Sequence, residues 1–419
     1  MPHRRRLALL LSTILLSTFS GVSLSAAQGS LAAPLSLDDA VERALDRNPD
    51  VLRARAEVEA AELARRGAGA PSANPALTVE GGPRIGTSGP QADVGVSLEI
   101  PFDLGATSRR RRAATSDDLD ASRSRLAWTE LTVATTTREL IAAALAADGR
   151  VALAEDAFAL AVEMERVARR RHELGEVSIL EPNFAGLERT DAQAALLSAR
   201  LDRSRAYRSL GALLAIPEGD SLVLADVAVP AWPDSLPSAL PHWTERVADR
   251  PDLAAARAAA RAADADLAVA RGNGAPGLSA TAGWAREGDE ANLVTGGLRF
   301  ELPLQRNQLG VAGAQGDAAV AAIDLDTASL AVPRELASAL DAWEAAAARY
   351  ALATGDALPL AEQSLSLVLR AYEAGKEELL AVLLMQRQAL TARRAAIDAE
   401  LALHRAAAAL ERAVGQEVF

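Results

Sequence analysis

The chain has 419 residues, a net charge of −12 at pH 7, 50% hydrophobic and only 3% aromatic residues, and no cysteine. Phosphate binding needs clustered Lys and Arg, so the acidic balance argues against a nucleic-acid surface. The lack of cysteine excludes disulfides, a thiol nucleophile and a lipid anchor on an N-terminal Cys. A composition rich in Ala and Leu with so few aromatics is typical of long helices packed along small side chains.

The first residues predict a secretory signal peptide at 1–27. Arg4–Arg6 precede a short apolar run, and small residues lead to a cleavage site after Ala27. The run is too short for a membrane helix, which needs about 20 residues. The mature chain is therefore expected to begin near Gln28, outside the cytoplasm.

One long internal repeat organises the chain. Four motifs recur in the same order about 200 residues later: Asn48-Pro49-Asp50 as Arg250-Pro251-Asp252, Ala70-Pro71 as Ala275-Pro276, Glu99-Ile100-Pro101 as Glu301-Leu302-Pro303, and His172-Glu173-Leu174-Gly175 as Tyr372-Glu373-Ala374-Gly375. Solenoid units are only about 20 to 50 residues long. The spacing therefore predicts two structural halves, a first repeat at 28–216 and a second at 242–419, joined by a Pro-rich linker at 217–241.

Each half is predicted to begin with a helix that leads into a β-hairpin. Ser36 is a good N-cap for the first helix, and the stretch of breakers at 67–71 ends it. Beyond the breakers the apolar period changes from about 3.6 residues to 2. This change predicts hairpins at 76–101 and, in the second half, at 277–303.

The predicted strands are amphipathic. Val94, Val96, Leu98 and Ile100 alternate with polar or small residues. Each strand is about 9 residues long, which matches a tilted membrane strand. Because four strands cannot close a barrel alone, the strands predict oligomerisation.

Two long helical hairpins complete the halves. The four helices are predicted at 107–174, 178–216, 310–374 and 377–415. Leu119, Leu126, Val133 and Leu140 recur at every seventh position, which is the spacing of a coiled-coil seam. At 1.5 Å rise per residue, the first helix would span about 100 Å.

These motifs resemble the TolC-like outer-membrane efflux protein family, also called the outer membrane factors. The resemblance covers essentially all of the mature sequence and rests on three segments: Leu37 to Leu45 with Asn48-Pro49, the strand exit Glu99 to Gly105 with Pro101, and its partner Leu302 to Gln308 with Pro303. The last segment and the run from Arg110 to Arg112 are most similar to the branch associated with heavy-metal export.

The resemblance implies a mainly α protein with a small β part. Duplicated long-helix hairpins would form an α-barrel tunnel, and four strands per protomer would contribute to a twelve-stranded β-barrel shared by a homotrimer in the outer membrane. The protein would be the exit duct of a tripartite efflux or type I export system. A periplasmic adaptor, the membrane fusion protein, would connect it to an inner-membrane pump. The implied substrates are metal cations or drugs, with no catalysis and no cofactor.

The two helical turns are the candidate sites of partner docking. Gly175 and Gly375 reverse the chain where a positive φ is useful. Apolar residues beside them favour a docking surface: Val177, Leu180, Leu379 and Leu380. Packing between neighbouring hairpins explains these apolar residues equally well.

Carboxylates near the turns are predicted to lie at the tunnel mouth. Glu181, six positions after Gly175, and Glu378 would attract cations as rings of like charge. Ser178 with Glu181 also matches a capping box at the start of the return helix. The acidic constriction of some relatives falls here on Ala381 and Leu384.

No enzyme or metal site is predicted. His172, His242 and His404 are widely separated, whereas a metal needs three or four converging ligands. The run from Arg109 to Arg112 is either the exposed start of a helix or a contact with anionic lipid headgroups. The alternative function is a soluble periplasmic coiled-coil scaffold or the adaptor itself, although an adaptor would carry strand-rich modules that this chain lacks.

Overall fold

The structure is a computed structural model that describes residues 34–70, 74–86, 89–103, 106–217, 222–225, 243, 246–287, 291–302, 304 and 306–418. The expected signal peptide at 1–27, most of the linker at 217–241, His242 and Pro303 lie outside the described residues. Within the described ranges, none of the helices combines the length and hydropathy needed to cross a membrane.

The first half contains two short helices, a hairpin and two long helices. Their bounds are α1 Leu37–Arg47, α2 Pro49–Gly67, β1 Ala76–Gly86, β2 Gly89–Phe102, α3 Thr107–Glu173 and α4 Leu180–Leu213. Ser36 caps α1, since its Oγ accepts from the Asp39 amide at 3.2 Å. Pro49 starts α2 at a position where its missing N–H costs nothing, and Asn48 Oδ1 accepts from the Asp50 amide at 2.8 Å.

The second half repeats this order from the hairpin-leading helix onward. Its elements are α5 Pro251–Gly272, β3 Gly277–Glu287, β4 Ala291–Glu301, α6 Gln308–Leu352, α7 Leu358–Glu373 and α8 Leu379–Val414. A π-helical turn, Ala353–Ala357, separates α6 from α7.

This π turn differs from the single long helix expected at 310–374. Pro359 has no N–H to give to the carbonyl four residues earlier, and its ring crowds that carbonyl. The residue at that earlier position is Gly355, which lies in the π turn and has open space around it. The helix therefore widens at the turn and then resumes.

The four strands form one antiparallel sheet in the order β1-β2-β3-β4. Residues that lie side by side across all four strands are Val79, Val96, Trp284 and Val294, and in the next row Leu77, Leu98, Ala282 and Gly296. Opposed residues share a face, so one face of the sheet is apolar. The fold class expected from the sequence, mainly helical with four antiparallel strands, is confirmed.

The opposite face of the sheet is polar. Thr78, Ser97 and Thr295 lie in one row of it. Glu99 accepts hydrogen bonds from Ser279 Oγ and from Arg299 Nη1, each at 2.6 Å. A sheet with one apolar and one polar face is suited to a boundary between lipid and water.

Each strand continues into one helix, so the helices lie beneath the sheet in strand order. α2 leads into β1, β2 leads into α3, α5 leads into β3 and β4 leads into α6. α3 and α6 therefore both start at the sheet, and their hairpin turns lie at the far end of the molecule. At 1.5 Å per residue, α3 spans about 100 Å.

The strand exit is fixed by caps at the helix ends. Pro101 pairs with Ser279 inside the sheet, one residue before β2 ends. Asp103 accepts from the Thr107 and Ser108 amides at 2.9 and 2.7 Å, and these bonds, led by the one from Ser108, lower the pKa of Asp103 to about 2.

The arginine run that follows Asp103 connects the start of α3 to neighbouring helices. Arg110 Nη1 donates to the Ala268 carbonyl at 3.2 Å, near the end of α5. Arg111 Nη2 donates to the Ala70 carbonyl at 2.8 Å, just beyond α2. Two arginines of the run therefore bind backbone carbonyls in the last turns of, or just beyond, neighbouring helices.

Candidate functional site at the helical turns

The two hairpin turns have the same backbone geometry. Gly175 and Gly375 have φ values of 79° and 68°, in the left-handed region that favours glycine. The Gly175 amide donates to the His172 carbonyl and the Gly375 amide to the Tyr372 carbonyl, each at 2.9 Å. A Cβ at either glycine would meet no atom within 4 Å, so only the backbone conformation demands glycine there.

A small apolar core joins the two turns. It contains Met164, Ala168, Ala185, Tyr372, Leu379 and Val382. Leu379 is one of the apolar residues for which docking and packing between hairpins were both predicted. Its side chain is 5% exposed, because the first turn of α8 packs into this core, so packing is the role seen for this residue. The core couples the second turn to the first half of the chain.

Other apolar residues at the turns do face solvent. Leu180 and Leu380 are 60% and 64% exposed, and Val177 is half-buried. They line a groove of about 960 Å³ between α4 and α8, together with the exposed Phe184 and Leu187. The groove is open in the isolated protomer and combines apolar surface with charged rims, which is the chemistry of a protein contact.

A polar cluster crosses from one half to the other. Glu181 Oε1 lies 3.3 Å from Arg171 Nη1 and accepts from Tyr372 Oη at 3.3 Å. The Arg171 guanidinium lies 5.4 Å from the centre of the Tyr372 ring. Burial raises the pKa of Tyr372, so the phenol stays protonated and donates to the carboxylate.

The cluster corrects the capping box expected at Ser178 and Glu181. Ser178 Oγ accepts only a long bond, 3.4 Å, from the Leu180 amide, and the Glu181 carboxylate binds Arg171 and Tyr372 instead of a backbone amide. Glu181 is therefore not a free charge at the tunnel mouth in this conformation. It links the two turns.

Three further ion pairs surround the cluster. Glu165 is buried, and its carboxylate pairs with Arg169 and with Arg189 Nε at 2.7 Å, which joins α3 to α4. Arg387 Nη2 pairs with Glu188 at 2.7 Å, which joins α8 to α4. No local pattern assigned a role to Arg189, Glu188 or Arg387, nor to Arg171 and Tyr372, because their partners lie on separate helices.

The second turn carries free charge. Glu378 occupies the N-cap position of α8 without a side-chain cap bond, and it is exposed beside Lys376 and Glu377. Lys376 is the single lysine of the whole sequence. The second turn therefore presents one ammonium and two carboxylates to solvent.

Metal ligands do not converge within the described part of the chain, where no group of three or more His, Asp or Glu could hold an ion. His172 Nδ1 lies 3.0 Å from the Val177 carbonyl and helps to close the first turn. Burial lowers the pKa of His404.

Solved structures share this fold. The CmeC outer membrane channel of Campylobacter jejuni superposes with a TM-score of 0.77 at 18% identity, covering 90% of this chain and 85% of that chain. The outer membrane protein VceC of Vibrio cholerae gives 0.76 at 19% identity, covering 91% and 96%. The fold is thus that of TolC-like outer-membrane channels, which combine a helical tunnel with a barrel.

The sequence itself shows the family. A model of the outer membrane efflux protein family matches residues 40–215 and 245–416, which together make up most of the chain. The chain belongs to the outer membrane efflux protein family, and it is an outer-membrane protein.

One curated relative matches in part. The nickel-cobalt-cadmium resistance protein NccC of Alcaligenes xylosoxydans xylosoxydans is 30% identical over 237 residues, which are 56% of this chain and 53% of that protein. The chain thus aligns with about half the length of this relative.

Proposed function

We propose that three copies of this chain form a passive exit duct across the outer membrane. The sheet carries the proposal: β1 and β4 each pair on one side only, and one face is apolar while the other is polar. Lipid does not tolerate open strand edges, so the sheets of several copies must join edge to edge. Three sheets of four strands give a closed twelve-stranded barrel with the polar face inward.

The substrates proposed for this duct are divalent transition-metal cations. Two observations support metals over drugs. The partial relative NccC is named for nickel, cobalt and cadmium resistance, and the chain is acidic, at −12, with carboxylates exposed at the second turn. Selection and energy would come from an inner-membrane pump, so the duct itself needs no resident metal site and no catalytic residue.

The turns are the proposed docking site for a periplasmic adaptor and the pump. Val177, Leu180, Gly375 and Leu380 line the open groove, with Glu378 at its rim. Gly175 reverses the chain two residues before Val177. The length of α3, about 100 Å, carries these turns far from the sheet and deep into the periplasm.

The direct test is deletion and complementation in the native host. Loss of the chain should increase sensitivity to nickel, cobalt or cadmium at least several-fold, and the restored protein should stay with outer membranes after a high-salt wash and have a mass near three chains in detergent. A protein that washes off as a soluble species would contradict the duct. If deletion left metal tolerance unchanged but lowered drug tolerance, and the restored protein recovered drug tolerance, the substrates would be drugs and not metals.

A further inference from the structure

The four connections between strands and helices, together called the junction, are basic although the chain as a whole carries a net charge of −12. They are residues 65–75, 103–112, 268–276 and 302–310, and they contain eight arginines and one acidic residue, Asp103. All four connections lie where the sheet meets the helices. Positive charge is therefore concentrated at one level of the molecule, directly below the sheet.

Helix stability does not explain the four arginines at 109–112. The N-terminus of a helix carries a partial positive charge, so basic residues in its first turn are unfavourable. The first turn of α3 nevertheless has no acidic residue. At the repeat offset of 202 residues (301 − 99), α6 has Val311 to Ala314 at the same positions. A helix can therefore start below the sheet without any arginine, and the run in α3 needs another reason.

Only two arginines of the run have partners among the described residues. Arg110 and Arg111 donate to backbone carbonyls near the ends of α5 and α2. The side chains of Arg109 and Arg112 are exposed and form no hydrogen bond or ion pair with the described residues. Three more arginines of the junction are exposed and unpaired in the same sense, and these are Arg65, Arg271 and Arg306.

The first turn of α3 fixes the direction of Arg109. Successive helical residues are about 100° apart, so four of them cover the circumference of the helix. Ser108 Oγ donates to Asp103 at 2.7 Å, Arg110 is directed at α5, and Arg111 is directed at the carbonyl beyond α2. Arg109 therefore lies on the side that none of these neighbours covers.

Arg112 lies across the end of α2. A Cβ built at Gly69 would be 2.6 Å from Arg112 Nη2, so the glycine leaves the space that the guanidinium occupies. The guanidinium is held at this place by packing and not by an acceptor among the described residues. Its N–H groups are therefore available to an anion.

The apolar face of the sheet ends in an aromatic row at the same level. Phe102 pairs with Leu278, and Leu278 pairs with Phe300, in the last row of the face that carries Val96 and Leu98. Phe102 and Phe300 are 50% and 62% exposed. Membrane barrels carry aromatic residues where the hydrocarbon region meets the headgroups. The junction follows directly after this row, which places its arginines at headgroup level.

From this charge and its position, we infer that Arg109 and Arg112 bind the phosphate groups of anionic phospholipids in the periplasmic leaflet of the outer membrane. The three other free arginines of the junction extend the same belt around the barrel. A guanidinium matches a phosphate group with two parallel hydrogen bonds. The inference rests on the proposed barrel, which puts the apolar face of the sheet in lipid.

The apolar surroundings favour a lipid over another anionic partner. Leu302 and Leu304, which follow β4, are 77% and 94% exposed. An acidic protein that reached the same arginines would have to enter the headgroup layer beside these side chains. A lipid satisfies both features at once, because its acyl chains cover the apolar face while its phosphate group binds the arginines. The belt would thereby fix the depth of the strands in the membrane.

The test measures the temperature at which trimers dissociate in a non-ionic detergent. Adding phosphatidylglycerol should raise this temperature for wild type by several degrees, and phosphatidylcholine with the same acyl chains should raise it much less. Arg109→Gln with Arg112→Gln should increase the phosphatidylglycerol concentration needed for half the effect at least tenfold, since each basic residue contributes about fivefold.

The matched control removes two arginines far from the sheet. Arg349 and Arg394 are exposed on α6 and α8 and are likewise unpaired among the described residues. Arg349 lies about 60 Å along α6 from its start. Arg349→Gln with Arg394→Gln loses the same charge and should leave the response to phosphatidylglycerol unchanged.

Two further variants keep the test decisive if the double glutamine variant does not form trimers. Arg109→Gln alone should weaken the response to phosphatidylglycerol about fivefold. Arg109→Lys with Arg112→Lys keeps both charges and should retain most of the response. Sodium phosphate, compared with sodium chloride at equal ionic strength, should not stabilise the trimer. If it stabilised the trimer as strongly as phosphatidylglycerol does, the site would bind free phosphate and the lipid assignment would be wrong.

The outcomes separate this inference from the proposed function. Trimers that export metal but respond equally to phosphatidylglycerol and phosphatidylcholine would overturn the lipid site and leave the duct intact. The same conclusion would follow if Arg109→Gln with Arg112→Gln kept the full response. A wild-type protein that is monomeric and does not support export would remove the duct and the lipid site together, because no strand would then lie in lipid.

Discussion

The first hairpin, α3 with α4, is continuous and held by several ion pairs, whereas the second, α7 with α8, follows a π-helical turn. Arginines of α4 pair with acids of α3 at three levels: Arg189 with Glu165, Arg200 with Glu155 and Arg203 with Asp148. Within the described residues one ion pair, Arg393 with Glu362 at 3.1 Å, joins α7 to α8. The two halves thus share one topology but differ in the ion pairs that join the two helices of each hairpin.

This difference assigns separate roles to the two hairpins. The first is braced along its own length, so its turn is expected to stay in place. The second contacts the first half near its turn, through Arg387 to Glu188, and farther along α8 through Arg150 to Asp398 and Arg412 to Glu139. Its other helix, α7, follows the π turn and bonds to the first half through Tyr372 to Glu181. We expect α7 to be the part that moves when the tunnel opens.

The largest effect is expected in the sheet, where the two halves of the chain must behave alike. Val96→Arg and its counterpart Leu298→Arg each place a charge on the apolar face and should cost about 2–4 kcal/mol near the membrane midplane. Ser97→Arg should assemble normally, because its counterpart on the polar face is already Arg299. Trimer yield in outer membranes measures all three. Equal tolerance of Val96→Arg and Ser97→Arg would contradict the lipid-facing assignment.

The next effect distinguishes the starts of the two long helices. Asp103 caps α3, and its folded pKa of about 2 lies below its ordinary 3.8. Its stabilisation is thus fully present above pH 3.8 and is lost as the pH falls towards 2. Asp103→Ala should cost about 0.5–2 kcal/mol at neutral pH.

The measurement for Asp103 is thermal unfolding as a function of pH. The difference between wild type and Asp103→Ala should shrink between pH 4 and about 2, because protonation removes the same bonds. α6 begins instead beside Asn307, whose Nδ2 donates to the Ala270 carbonyl at 2.9 Å, so Asn307→Ala should show no such acid dependence. If the unfolding temperatures of wild type and Asp103→Ala differed by the same amount down to pH 2, the assignment of Asp103 as the cap of α3 would be wrong.

The sequence reveals those features that local signals encode. The turns at Gly175 and Gly375, the hairpins and the helix cap at Ser36 each follow from residues within a few positions of one another. The link from Glu181 to Tyr372 joins residues 191 apart and has no local signal. Burial of Leu379 likewise depends on α3 and α4 arriving beside α8, which no pattern in its own helix records.

A smaller effect tests the link between the turns. Tyr372→Phe keeps the ring over Arg171 and removes the hydroxyl that donates to Glu181, at a cost of about 0.5–1.5 kcal/mol. Because this bond restrains the second turn, single-channel conductance in planar bilayers should rise.

The matched control for Tyr372 lies in the first hairpin. Tyr207 Oη donates to Asp148 at 2.6 Å, and burial with this bond raises the pKa of Tyr207 to about 12. Tyr207→Phe removes a comparable bond within the braced hairpin and should leave conductance unchanged. A rise in conductance from both variants would mean that the two hairpins are equally mobile.

The smallest effect is expected from two glycine substitutions, which separate the stiffness of a helix from the stability of the protein. Gly149 in α3 and Gly355 in the π turn are both helical glycines, and replacing either by Ala should stabilise its helix by about 0.5–1 kcal/mol. At Gly149 the new methyl would lie 3.4 Å from Ile397 in ordinary contact, and at Gly355 it would meet open space. The temperature of thermal unfolding should therefore rise slightly in both variants. Conductance and metal export should fall only for Gly355→Ala, because the first hairpin has no soft point to stiffen. If both variants leave transport unchanged while both stabilise the protein, the π turn is a packing adjustment to Pro359 and the difference between the hairpins has no part in gating.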